Sequence, residues 1–247
     1  MKINKTKWTL KKIIKTIWMS SGVLFMLWLL YSMQAHNVDE SLLRSDNQVR
    51  YENKDDYYSY TPTENYNEVL VFYPGALVQT KAYLPLCREI AKNNIKVYLI
   101  KMPWRQATIG YNKPKELNIL AETSKTYTLA GHSQGGKMAA QFVYENPSLI
   151  DRLILIGTTH PRDISLADHK IPILKIYGSK DGVADEKSII KNKSKLPEHS
   201  QFVKIDGANH SQFGYYGFQL GDDAADIDRK QQHVETLKAI MEFISNE

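Results

Sequence analysis

The stretch YTLAGHSQGGKMAAQF, residues 127–142, sets Ser133 between Gly131 and Gly135, with an apolar run before it and a helix-like run after it. A serine hydroxyl is a weak nucleophile at neutral pH and needs a neighbouring base to take its proton. Histidine suits that task because its pKa lies near neutrality. The imidazole in turn needs a carboxylate to hold its tautomer and stabilise its charged form. Both partners occur later in the chain, in the same kind of place. SKDGV, residues 179–183, follows the apolar run IPILKIYG and offers Asp181; GANHSQFG, residues 207–214, follows QFVKID and offers His210. A further turn, PGALV at residues 74–78, follows EVLVFY and offers backbone only. The glycines around the serine have a steric reading: a strand-to-helix turn tight enough to lift a hydroxyl above a sheet leaves no room for side chains at 131 and 135. The helix that begins there directs free N–H groups at developing negative charge.

Other residues of the same types have plainer readings. Asp185 directly precedes EKSIIKNK and reads as a helix N-cap. Asp206 precedes the histidine loop and reads as a turn-former. His132 points the other way on a tight turn and reads as packing; His160, His169 and His199 read as surface loop residues. Cys87, the only cysteine, reads as a small buried apolar residue and excludes a disulfide within the chain. DDAADID, residues 222–228, departs from a calcium loop at Ile227 (sixth position) and His233 (twelfth), and reads as the acidic first turn of the last helix. No HExxH or paired Cys/His spacing points to a metal, and no cofactor is expected.

The elements that must position these residues alternate. EVLVFY, IKVYLIKM, KTYTLA, RLILIG, IPILKIYG and QFVKID read as strands; KAYLPLCREIAKNN, KPKELNILAE, GKMAAQFVYEN and DEKSIIKNK read as helices between them. The closing segment, residues 224–244, puts Ile227, Val234, Leu237, Ile240, Met241 and Ile244 on one helical stripe. Continuously apolar strands alternating with helices predict an α/β fold, a mostly parallel sheet covered on both faces. Ligands of such sheets bind at the carboxyl ends of the strands, where Ser133, Asp181 and His210 fall.

The N-terminus has a different character. Lys2, Lys5, Lys7, Lys11, Lys12 and Lys15 precede any acidic residue and account for the formal net charge of +5; without them 26 basic residues face 27 acidic ones. The body therefore has no electrostatic footprint for nucleic acid. Residues 16–33 are eighteen residues without a charge, about the length that crosses a bilayer. With lysines before it and Asp39 and Glu40 after it, the segment predicts a single-pass anchor with the N-terminus cytoplasmic and the rest outside. The alternative is a cleaved signal, but a cut after Ala35 sets Met33 at the third position back, a poor fit. The expected organisation is a basic segment and anchor over 1–34, a polar stalk leading into the domain over 35–65, with Tyr57, Tyr58 and Tyr60 starting the fold as an edge strand, and a catalytic domain over 66–247.

Taken together, FYPGALVQTKAYLPLCREIA, VYLIKMPW, GHSQGGKMA, IYGSKDGV and GANHSQFGYYGFQLGDDAADIDRKQQ resemble the α/β-hydrolase superfamily, and within it a small bacterial branch related to dienelactone hydrolases. The resemblance runs from Glu68 to Phe243. It implies Ser133 as nucleophile, Asp181 as acid and His210 as base, with the backbone N–H groups of Ala76 and Gln134 as an oxyanion hole. The chain has Pro74-Gly75 where many members have His-Gly. Only residues 158–170 separate RLILIG from IPILKIYG, too few for the helical cap that many members insert there, so the site is expected to be open and to prefer short or soluble acyl groups. The expected function is a membrane-anchored serine esterase acting on a small acyl substrate. A thioesterase or amidase on the same triad, and a catalytically silent binding module, are the alternatives.

Overall fold

The computed structural model describes residues 8–245; Lys2, Lys5 and Lys7 of the basic segment lie outside the described residues. Eight strands form one sheet: β1 (Val49–Asn53), β2 (Tyr57–Pro62), β3 (Glu68–Tyr73), β4 (Ile95–Ile100), β5 (Thr126–His132), β6 (Arg152–Ile156), β7 (Ile173–Gly178) and β8 (Gln201–Ile205). Their order is β1-β2-β4-β3-β5-β6-β7-β8. The six strands from β4 across to β8 are parallel, and β2 and β1 add antiparallel at one edge. The central strands β5, β6 and β7 are buried on both faces, as their unbroken apolar runs require. The helices are α1 (Leu10–Ser32), α2 (Leu84–Ala91), α3 (Ala107–Gly110), α4 (Lys113–Glu116), α5 (Gln134–Glu145), α6 (Glu186–Lys191) and α7 (Arg229–Ser245). One face of the sheet packs its apolar side chains with α2 and α7, the other with α5.

The stretch read as a stalk is not one. Residues 49–62 form β1 and β2, and β2 lies inside the sheet rather than at its edge. The tyrosines account for this. Tyr60 is 1% exposed and its hydroxyl donates to the Leu42 carbonyl at 2.6 Å, so a large ring is buried while its polar end is satisfied. The connection before them is clamped by Arg88 of α2, which donates to the Ser41 and Arg44 carbonyls and to Asp46 Oδ2 at 3.2, 2.8 and 2.6 Å.

The last helix also differs from expectation. It begins at Arg229, and Asp228 caps it by accepting from Gln231 N at 2.8 Å. DDAADID is therefore a loop rather than a helical turn. Val234 is exposed, and the buried stripe instead runs through Gln232, Thr236, Ala239, Ile240, Phe243 and Ile244. The earlier helix expected over 113–122 ends at Glu116. Between β6 and β7 no helix intervenes.

Helix α1 stands apart from both cores. Thr9 caps its start by accepting from Lys12 N through its side chain, and it runs 23 residues with a mean hydropathy of 1.7 over its apolar window, none of which is buried. It is long and apolar enough to cross a membrane.

Candidate active site

Ser133 sits between the end of β5 and the first residue of α5, with φ 53° and ψ −119°. A left-handed φ is strained for a residue with a side chain and persists only where its surroundings enforce it. The enforcement is steric. A Cβ at Gly131 would come within 2.4 Å of the Gly135 backbone, and a Cβ at Gly135 within 2.2 Å of the Tyr73 carbonyl oxygen. Strand and helix are thus closer than any side chain permits, and the serine projects at the sharp bend. The first bond of α5 runs from Lys137 N to Ser133 O, leaving the earlier N–H groups without intrahelical partners.

His210 and Asp181 meet beside it. His210 Nδ1 lies 2.9 Å from Asp181 Oδ2 and 3.1 Å from Oδ1, and both side chains are fully buried. Asp181 Oδ1 also accepts from Val183 N at 3.0 Å and Ala184 N at 2.6 Å, which fixes the carboxylate. His210 Nε2 is buried with no hydrogen-bond partner among the described residues. It lines one cavity of about 170 Å³ with Ser133, bordered by Thr158, Thr159, His160 and Lys137. The structure thus brings Ser133 and His210 to one cavity and bonds His210 to Asp181.

The two backbone groups implied by resemblance lie on neighbouring turns. Gly75 N donates to Tyr83 Oη at 3.0 Å and Leu77 N to the Arg105 carbonyl at 2.8 Å, while Ala76 N between them has no partner among the described residues. Gln134 is held by its side chain, which accepts from Ala107 N at 2.8 Å and donates to Gln106 Oε1 at 2.9 Å. Its backbone N–H is the first of α5.

Asp185 caps α6 by accepting from Ser188 N at 2.9 Å, and Asp206 is exposed in the turn after β8. His132 is fully buried, and its Nδ1 lies 2.8 Å from Tyr83 Oη. Burial first, and then the nearby His210, hold its pKa well below the usual histidine value, so it stays neutral. His160 corrects the expectation of a surface loop: it is 8% exposed, and burial followed by Lys137 pulls it down to about 4. His169 is half-buried and His199 exposed. Cys87 is fully buried, and burial pushes its thiol up, away from reactivity.

Sequence reasoning missed three residues. Asp222, inside the supposed helical turn, accepts from His210 N at 3.0 Å, Gly182 N at 3.3 Å and Ser211 N at 2.8 Å, joining the loop of Asp181 to that of His210. Tyr83 bridges Gly75 to His132 and so ties the Ala76 turn to the residue before Ser133. Lys175 in β7 is 1% exposed, with Nζ donating to the His160 carbonyl at 2.5 Å; burial pulls its pKa to about 7, against the attraction of Asp181. A lysine inside an otherwise apolar strand run was the available signal for the last. The other two depend on loops folding back, which local pattern does not encode.

Comparisons with known proteins agree with this architecture. A family model described as "Alpha/beta hydrolase family" matches residues 69–234. Among curated proteins, none matches the chain. Among solved structures, Est1E from Butyrivibrio proteoclasticus is similar with a TM-score of 0.57 at 13% identity, covering 81% of this chain and all of its own. The carboxylesterase CesB (YbfK) from Bacillus subtilis has a TM-score of 0.55 at 12% identity, covering 92% of this chain and 99% of its own. A soluble variant of monoglyceride lipase from Saccharomyces cerevisiae has a TM-score of 0.56 at 12% identity, covering 81% of this chain and 97% of its own. At such identities the likeness establishes the fold.

Proposed function

Since the chain belongs to the alpha/beta hydrolase family, we propose that it is a serine hydrolase that cleaves a carboxylic ester through an acyl-serine intermediate. The observation that carries this reading is the strained Ser133 bend opening on the same cavity as His210, whose other ring nitrogen is held by Asp181. In the proposed reaction Ser133 Oγ donates to His210 Nε2, which shares its cavity and has no partner among the described residues. Oγ attacks the ester carbonyl as its proton passes to Nε2. Asp181 stabilises the imidazolium and keeps the proton on Nδ1. The oxyanion receives the N–H groups of Ala76 and Gln134, a contribution of order 3–4 kcal/mol per donor in enzymes of this type. The imidazolium then protonates the departing alcohol. Water, deprotonated by His210, attacks the acyl group and releases the acid and free Ser133. Esterases among the structural neighbours favour an ester over an amide or thioester. The motifs resemble those of the dienelactone hydrolases.

The test is turnover of p-nitrophenyl esters by the full chain in vesicles. Ser133→Ala and His210→Ala each lower kcat by about 10³-fold or more, because triad members act as a unit, with far-ultraviolet circular dichroism unchanged. Asp181→Asn retains measurable turnover. Wild-type rates in folded Ser133→Ala would overturn the mechanism. The lysines before α1 orient it with its N-terminus cytoplasmic and the catalytic domain outside. Protease added to wall-stripped cells then removes the catalytic domain; protection until lysis reverses the orientation.

A further inference from the structure

We propose that the site is fed from the bilayer: the acyl chain of a membrane-resident ester lies in an apolar groove between the outer end of α1 and the Ala76 turn, and the domain works with its site face against the membrane. This rests on the reading of α1 as a membrane span and of Ser133 as the nucleophile.

The end of α1 is bonded directly to the loops of the site. Gln79 N donates to the Met33 carbonyl at 2.8 Å, and Gln79 Oε1 accepts from Ala35 N at 2.8 Å. Gly217 N donates to the Ser32 carbonyl at 2.7 Å, and His36 N to the Tyr215 carbonyl at 2.8 Å. Gln79 lies three residues past Ala76, and Tyr215 and Gly217 lie in the loop that follows His210. No flexible tether therefore separates span from site. A helix of 23 residues is about 35 Å long at 1.5 Å per residue, against about 30 Å of bilayer hydrocarbon. With α1 in the membrane, its end and the loops bonded to it stand at headgroup level.

The surface these loops present suits that position. Trp104 is 86% exposed and Leu77 is 53% exposed, each held at positive φ (52° and 62°). Phe218 and Leu220, from the loop after His210, are exposed as well. Apolar side chains this exposed around one site mark a contact surface, and tryptophan favours the membrane interface. Between Leu77, Trp104 and the α1 side chains Met26, Leu29, Leu30 and Met33 runs a groove of about 400 Å³. Its loop wall begins one residue after Ala76, so a chain lying in it leads from the bilayer to the oxyanion turn. The cavity that Ser133 and His210 line is smaller, about 170 Å³, and mixes Thr158, Thr159 and Lys137 with Val183 and Ala184. The difference in volume fits an ester of a long acyl chain with a small alcohol. The short β6–β7 connection provides no cap, and the span provides the apolar wall instead. That reverses the preference for short soluble acyl groups expected from the missing cap.

Two measurements on the full chain in phosphatidylcholine vesicles test this. The first uses the triple variant Trp104→Cys, Cys87→Ser, Ser133→Ala, with an environment-sensitive fluorophore attached through the thiol introduced at position 104. That fluorophore is expected to be quenched at least twofold by brominated lipid. The unlabelled wild type is expected to hydrolyse a bilayer-resident umbelliferyl palmitate at least tenfold more efficiently than umbelliferyl butyrate. Trp104→Glu should lower that ratio about tenfold, and Trp104→Phe should largely preserve it. A fluorophore that remains in water, or a butyrate preference in vesicles, overturns the inference while leaving the esterase reading intact. Blue-shifted emission without quenching places a second copy of the chain on this face and overturns it too. No turnover of either ester by the wild type defeats the hydrolase reading itself, and the inference with it.

Discussion

Lys175 shows how a single side chain sets a pH dependence. It is buried in the middle of β7, with the His160 carbonyl as its hydrogen-bond acceptor. Burial lowers its folded pKa to about 7, whereas the unfolded chain binds that proton up to about 10.4. Between these values the unfolded state holds more protons, so this group's contribution to stability is fully present above about 10.4 and is lost as pH falls to about 7. Lys175→Met removes the buried ammonium and should raise stability near pH 7 by about 1–4 kcal/mol. The gain should shrink as pH approaches 10. Denaturant melts of both proteins at pH 7 and 9.5 check this, and a difference independent of pH would show that Lys175 is not the titrating group. Asp222 and Tyr83 act on the same scale: the first couples the loops of Asp181 and His210, the second the Ala76 turn and His132.

At the scale of elements, the segment before β1 depends on α2 through Arg88. That guanidinium, with its side chain 7% exposed, binds two carbonyls and Asp46, whose pKa is lowered to about 2 by the Val49 N–H and by Arg88 itself. Arg88→Ala should cost about 2–3 kcal/mol, since it strands charge-assisted acceptors. Hydrogen exchange should show early loss of protection in residues 40–53 while β5 and β6 keep theirs. Uniform loss across the sheet would contradict this local role. The parallel strands were legible because each is a short, mainly apolar, β-branched-rich run ended by a turn. The positions of Ser133, Asp181 and His210 were legible because each ends one of those runs. Strand β2 was legible from its tyrosines only as an edge strand and β1 not at all, since Ser59 and Thr61 are buried there through partners distant in sequence. The start of α7 was misread because Asp222 resembles a first-turn acid yet serves the loop of His210.

For the whole molecule, the sheet's carboxyl edge gathers the site, and the same edge receives the end of α1. The apolar helix and the α/β domain were legible as separate pieces, from composition and from strand patterns. Their junction was not, because it is made by backbone groups of Ser32, Met33 and Gly217 that no side-chain pattern announces. The proposed ester hydrolysis depends on Ser133 being a nucleophile activated by His210. The most direct measurement is covalent labelling of the full chain in vesicles with a fluorophosphonate, followed by peptide mass mapping. The expected result is one adduct per chain, on Ser133, absent from Ser133→Ala and formed at least 100-fold more slowly by His210→Ala. Protein that hydrolyses ester while Ser133 stays unlabelled, or that carries the adduct on another residue, would contradict it.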